Sequence, residues 1–135
     1  MKKNILKTFL ILGIIVGNLN ADIIPAKEAK KIQQNGYIKL KQQCLKDKNY
    51  KKAYKLLISM INTNIKKISE RGLYNVYHMN NITTEELRNI YKLLSSKDKK
   101  EFLKMQVKKE LQQKGYKVET GQYDYPGNID WYISW

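Results

Sequence analysis

The feature that most constrains the fold of this chain is the segment Tyr50 to Arg71, where apolar residues recur at three- and four-residue steps. They are Tyr50, Ala53, Tyr54, Leu57, Ile61, Ile65 and Ile68. This spacing places them on one face of an α-helix. Asp47 to Asn49 offers capping side chains ahead of the segment, and Gly72 suits the position just after it. A helix with one apolar face needs a partner layer, so the segment indicates a packed globular domain.

The C-terminal segment shows the period of two that is typical of strands. Its apolar residues are Ile129, Trp131, Ile133 and Trp135, and they alternate with polar ones. We therefore predict an antiparallel strand over Ile129 to Trp135 with those four side chains on its buried face. Tyr116 to Thr120 and Leu73 to Met79 alternate in a similar way, which predicts two further strands. Pro126-Gly127-Asn128 predicts a turn before the last strand.

Three other segments are rich in helix-forming residues. Ala26 to about Asp47 is the first, and Asn35-Gly36 leaves open whether it forms one helix or two short ones. The second is Thr84 to Leu94, where Thr83-Thr84-Glu85-Glu86 reads as a capping box. Lys97 to Lys114 is the third. The complete order is helix, helix, strand, helix, helix, strand, strand, which predicts an α+β fold with helices packed on a three-stranded antiparallel sheet.

The N-terminus has the three parts of a secretory signal peptide. Its positive residues are Lys2, Lys3 and Lys7. An uncharged apolar core over Thr8 to Gly17 follows, and Ala21 supplies a small residue at the expected cleavage point. We expect residues 1–21 to be removed and residues 22–135 to form a single domain in the periplasm or outside the cell. An uncleaved membrane anchor and a buried first helix of a cytosolic domain are the alternatives, although the core is shorter than the roughly 20 residues of a membrane span.

The charge of the chain points to its partners. In 135 residues there are 26 basic and 12 acidic side chains, which gives a formal net charge of +14. Such an excess favours an anionic surface or polymer as a partner, membrane head groups included. The candidate anion-binding residues are Lys97, Lys100, Lys104 and Lys108, which recur at helical spacing.

Residues for catalysis or metal binding are sparse. With one cysteine and one histidine, the chain has neither a disulfide framework nor a cysteine-based zinc site. No serine or cysteine lies beside His78 in the sequence, and Cys44 on an apolar helix face is typical of a small buried hydrophobe. We therefore predict no catalytic residue, no metal site and no cofactor. The expected protein binds rather than catalyses, as a monomer or weak homodimer, and a small hydrolase with an unrecognised site is the alternative.

Aromatic residues near the C-terminus form a second candidate surface. Tyr123, Tyr125 and Tyr132 are the residues that an aromatic platform for a carbohydrate or peptide would use. The competing interpretation is an aromatic core with a few exposed rings.

Two resemblances extend these expectations. From Tyr50 onward the order of elements resembles the winged-helix domain, with Thr84 to Leu94 as support helix and Lys97 to Lys114 as recognition helix. That resemblance implies an intracellular DNA-binding protein whose lysines meet phosphates.

The second resemblance lies at the two ends of the chain. PAKEAKK over Pro25 to Lys31, KGYKV over Lys114 to Val118 and the terminal ISW resemble a group of small, uncharacterised proteins common in tailed-phage genomes. Those proteins open with an alanine-rich charged helix, carry a Gly-Tyr-x-Val strand and finish on a hydrophobic-Ser-Trp strand. The resemblance implies a fold of helices and a sheet and no established activity.

Overall fold

The computed structural model describes residues 22–135. In chain order its elements are α1 (Ala26–Lys46), α2 (Lys48–Arg71), β1 (Val76–Asn80), α3 (Glu85–Tyr91), α4 (Lys97–Gln113), β2 (Lys117–Thr120) and β3 (Asp130–Ser134). The predicted α+β class and the predicted order of elements are confirmed. The signal peptide expected over residues 1–21 lies outside the described residues.

The chain divides into two compact units, Met1–Gly36 and Tyr37–Trp135. In the first unit, the Pro25 carbonyl accepts hydrogen bonds from the amides of Glu28 and Ala29 and so begins α1. This helix continues through Asn35-Gly36, so the segment forms one helix and not two. The second unit contains the sheet and every site described below.

Helix α2 ends at the predicted Arg71 but begins at Lys48, slightly before the predicted Tyr50, with its cap in the predicted capping segment. The side chain of Asp47 accepts hydrogen bonds from the amides of Asn49 and Tyr50, at 2.9 and 3.3 Å. Gly72 follows the last turn with a φ of 74°, a left-handed conformation that glycine adopts without a Cβ clash. Both caps depend on contacts within a few residues.

The capping box predicted over Thr83 to Glu86 is wrong. Thr84 is the N-cap of α3, and its side chain makes no capping hydrogen bond. A tight turn precedes the helix, because the amides of Thr83 and Thr84 both donate to the Asn80 carbonyl. The turn holds Thr83 outside the helix, and α3 then ends at Tyr91 rather than Leu94.

The three strands form one antiparallel sheet in the order β1-β3-β2, with β3 in the centre. His78 and Glu119 flank Tyr132 on one face. Met79 and Thr120 flank Trp131 on the other. The Trp131 side of the sheet joins the hydrophobic core that the helices complete.

The last strand only partly follows its predicted alternation. Ile129, Trp131 and Ile133 are buried, as predicted. Trp135 lies beyond the end of β3 and remains 38% exposed, so its predicted place on the buried face is wrong. Asp130 is buried although it belongs to the polar set of the alternation. The loop over residues 121–128 and His78 of β1 supply the contacts that bury it.

No helix within residues 22–135 combines the length and apolar character needed to cross a membrane.

Candidate functional site

The four candidate anion-binding lysines do not form one exposed face. Lys97 is exposed, and Lys100 and Lys108 are partly exposed. Lys104 is only 7% exposed, and its Nζ donates to the carbonyl oxygens of Asn128 at 2.5 Å and Tyr125 at 3.2 Å. This lysine is therefore committed to the protein interior and is removed from the predicted surface.

Two carboxylates complete the surroundings of Lys104. Its Nζ lies 3.1 Å from Asp124 Oδ1 and 3.5 Å from Glu101 Oε2. Glu101 Oε2 also accepts a hydrogen bond from the Gly127 amide at 2.6 Å, which attaches the 121–128 loop to α4. A buried ammonium group needs such compensation, since an unpaired charge in the interior is strongly unfavourable. Lys104 thus fastens the loop.

Asp130 connects the same loop to the sheet. Its Oδ2 accepts a hydrogen bond from the Tyr123 amide at 3.0 Å, and its Oδ1 lies 2.7 Å from His78 Nε2. Burial alone would raise the pKa of the Asp130 carboxyl, but the bonds from His78 and the Tyr123 amide outweigh it and lower that pKa. Gly121 lies so close that a Cβ there would overlap the carboxylate. A side chain at position 121 would therefore force the Asp130 carboxylate to shift from its hydrogen bonds.

His78 lies on the outer face of the sheet. Its ring stacks on Tyr132, with centroids 4.2 Å apart and planes 4° from parallel. In the described part of the chain, no serine, threonine or cysteine side chain forms a hydrogen bond with His78. Asp130 bonds Nε2 of His78, whereas the aspartate of a Ser-His-Asp triad bonds Nδ1 and leaves Nε2 for the nucleophile, so the pair does not have triad geometry.

The aromatic residues predicted as a platform are exposed but are not stacked on one another. Tyr123, Tyr125 and Tyr132 each leave a large part of the ring in solvent. Among the described residues, the ring stacked on Tyr132 belongs to His78. The structure thus supplies three separate exposed rings.

A groove between the C-terminal half of α1, α2 and α4 is the site that sequence reasoning missed. Its volume is about 330 Å³, at the small end of the range for ligand sites. Tyr50, Tyr54, Phe102 and Leu45 supply its apolar lining. The polar lining residues are Lys41, Lys51, Lys55 and Gln106, and none of the lining residues is acidic.

The groove also contains an unsatisfied hydroxyl group. Tyr50 is only 5% exposed, and its hydroxyl finds no hydrogen-bond partner among the described residues. Burial raises the pKa of this phenol well above its ordinary value, so the hydroxyl stays protonated. Three other buried polar atoms of the described residues share this property: Asn81 Oδ1, the Tyr91 hydroxyl and Trp131 Nε1.

Cys44 is fully buried beneath this region. Burial raises the pKa of its thiol, against a smaller lowering effect of Lys99. A buried, protonated thiol is a poor nucleophile and is inaccessible to a second chain. Within residues 22–135, no cluster of three or more histidine, cysteine, aspartate or glutamate side chains is arranged to hold a metal ion.

The chain matches no family model, no curated protein and no solved structure.

Proposed function

We propose that this protein is exported and acts by binding an anionic surface or polymer, such as membrane head groups, and not by catalysis. The observation that carries the proposal is uncompensated positive charge on the helices. In the described residues, carboxylates form ion pairs with Lys99, Lys104, Lys114 and Lys117. The other described lysines form no ion pair within that range, and most of them are exposed.

The exposed lysines on α2 illustrate how this charge is distributed. They are Lys48, Lys51, Lys52, Lys55, Lys66 and Lys67. The helix ends with Arg71 and contains one acidic residue, Glu70. Charges spaced within a Debye length of about 8–10 Å add their fields, so such a surface attracts polyanions without a precise fit.

Salt provides the direct test. We expect binding to vesicles of phosphatidylglycerol and phosphatidylcholine to weaken at least roughly tenfold between about 50 and 200 mM salt, by the logic of counterion release. Vesicles of phosphatidylcholine alone are the control and should not bind. Absence of binding to the anionic vesicles, or binding that is insensitive to salt, would contradict the proposal.

Two matched triple variants test whether the contact is diffuse. Lys51, Lys52 and Lys55 are changed to Gln in one, and Lys97, Lys100 and Lys108 in the other. Each variant loses three charges from a surface helix, so similar losses of vesicle affinity are expected. Complete loss in one variant with no effect in the other would contradict a diffuse surface. DNA affinity that depends on sequence and survives 200 mM salt would instead favour the winged-helix alternative.

Export makes a separate prediction. The protein recovered from cells is expected to begin at Asp22, because the charged start, apolar core and Ala21 form a signal-peptide pattern. N-terminal sequencing checks this result, and Ala21→Lys is the control that should block cleavage. A cytosolic protein that begins at Met1 would overturn the proposed location.

A further inference from the structure

We propose that the groove between α1, α2 and α4 binds an amphiphile with one alkyl chain and a carboxylate head, of the free fatty acid class. The inference rests on the proposed function in one respect, since it assigns one anionic ligand to part of the cationic surface. It goes further by naming a small-molecule site with its own apolar lining.

The lining of the groove suits an alkyl chain. Phe102 is buried between Tyr37 and Tyr50, with ring centroids 5.6 and 5.9 Å away. Leu45 lines the same groove and leaves 55% of its surface in solvent. An alkyl chain beside Leu45 and Tyr54 would remove apolar surface from water, which is the main driving force for ligands of this kind.

The charged groups suit an anionic head. Lys51 and Lys55 lie one helical turn apart and so project from the same side of α2. Lys41 reaches the groove from α1, and all three lysines are exposed. With no acidic residue in the lining, a carboxylate would meet ammonium groups without repulsion.

Tyr50 adds a hydrogen-bond donor to the lining of the groove. Its hydroxyl is buried in the lining of the groove and lacks a hydrogen-bond partner within the described residues. The hydroxyl is closed to solvent in this structure, so the Tyr50 side chain must shift before it can donate to a carboxylate oxygen. That bond would then remove the free-energy cost of an unsatisfied buried donor. An uncharged hydrocarbon would leave that cost in place.

The size of the groove selects among anionic lipids. A volume of about 330 Å³ is small for a ligand site, so a single chain is favoured over a two-chain phospholipid. The inference therefore commits to a single-chain carboxylate.

Calorimetric titration of the protein with decanoate tests the inference. We expect saturable binding of one decanoate, and affinity at least roughly tenfold lower for both 1-decanol and butyrate, because one lacks the charge and the other the chain. Lys51→Gln with Lys55→Gln should lower decanoate affinity about tenfold, as expected for lost charge-assisted hydrogen bonds. The matched control, Lys66→Gln with Lys67→Gln, removes two charges from the same helix outside the groove and should leave the affinity unchanged.

Tyr50→Phe separates ligand binding from folding. It removes only the hydroxyl, so decanoate affinity should fall while the thermal midpoint of the unliganded variant is retained or rises. The inference is overturned if decanoate fails to bind, if 1-decanol binds equally well, or if the control pair loses as much affinity as the groove pair. Salt-sensitive vesicle binding without decanoate binding refutes the groove alone. Decanoate binding without vesicle binding refutes the proposed function and leaves the groove supported.

Discussion

Replacement of Trp131 by alanine is expected to lower the free energy of unfolding by about 3–5 kcal/mol, the range for large aromatic side chains removed from cores. Trp131 is 1% exposed and lies on the central strand, between Met79 of β1 and Thr120 of β2. Its removal would leave a cavity in the core, because the three strands and the helices around Trp131 cannot all move far enough to fill it. The indole Nε1 has no hydrogen-bond partner among the described residues, so the loss comes from packing.

Urea unfolding followed by circular dichroism measures this effect, with stability taken from the midpoint at constant slope. Trp135→Ala is the matched control, because it removes the same type of side chain from an exposed position just beyond the end of β3. We expect the control to lose clearly less stability. A loss under about 1 kcal/mol for Trp131→Ala would show that the strand is not the centre of the core.

The second large effect is expected at Lys104. Lys104→Met keeps much of the side-chain volume but removes the ammonium group, so Asp124, Glu101 and two carbonyl oxygens lose their shared partner. Breaking a buried pair from one side costs about 3 kcal/mol or more. Asp124 and Glu101 would each keep one hydrogen bond from a backbone amide but would lose the ammonium group that balances their charge. The 121–128 loop should then be cleaved faster in limited proteolysis.

Two further variants make the Lys104 result specific. Lys108→Met changes the same residue type one turn later on α4, where it forms no ion pair within the described residues, and should change stability by less than about 0.5 kcal/mol. Lys104→Met combined with Asp124→Asn should recover part of the loss, because one stranded carboxylate is gone. If Lys104→Met lowers stability no more than Lys108→Met does, Lys104 does not hold the 121–128 loop in place.

The difference in burial between Lys104 and the neighbouring lysines of α4 is a feature that local sequence patterns do not predict. Lys97, Lys100, Lys104 and Lys108 share one helical spacing, and that spacing does not specify which of them a distant loop will cover. The loop over residues 121–128 lies about twenty residues further along the chain and carries Asp124 and both carbonyl acceptors of Lys104. Burial of Lys104 therefore depends on residues distant in sequence, and the spacing of residues along α4 does not predict it.

Asp130 is a similar case on a strand. Alternation correctly separates Trp131 from Tyr132, because successive side chains point to opposite faces of a sheet. Alternation does not predict whether other residues cover Asp130 on the outer face of the sheet. His78, distant in sequence, and Gly121 in the folded-back loop decide that point.

The groove depended still more on tertiary structure. Tyr50 and Tyr54 belong to the predicted apolar face of α2, and sequence reasoning assigned them to the core. Phe102 arrives from α4 and Leu45 from α1, so the gap among them exists only after three helices have packed. The spacing along any single helix contains no signal for it.

The sequence alone determined the α+β class, the order of elements, the capping residues of α2 and the burial of Trp131, because periodicity and capping act over a few residues. Tertiary structure alone decided the covering of Asp130, the inward position of Lys104 and the groove with its cationic opening. These features need residues that are far apart in the chain to meet at atomic distances, and composition or local spacing does not encode which of them will meet.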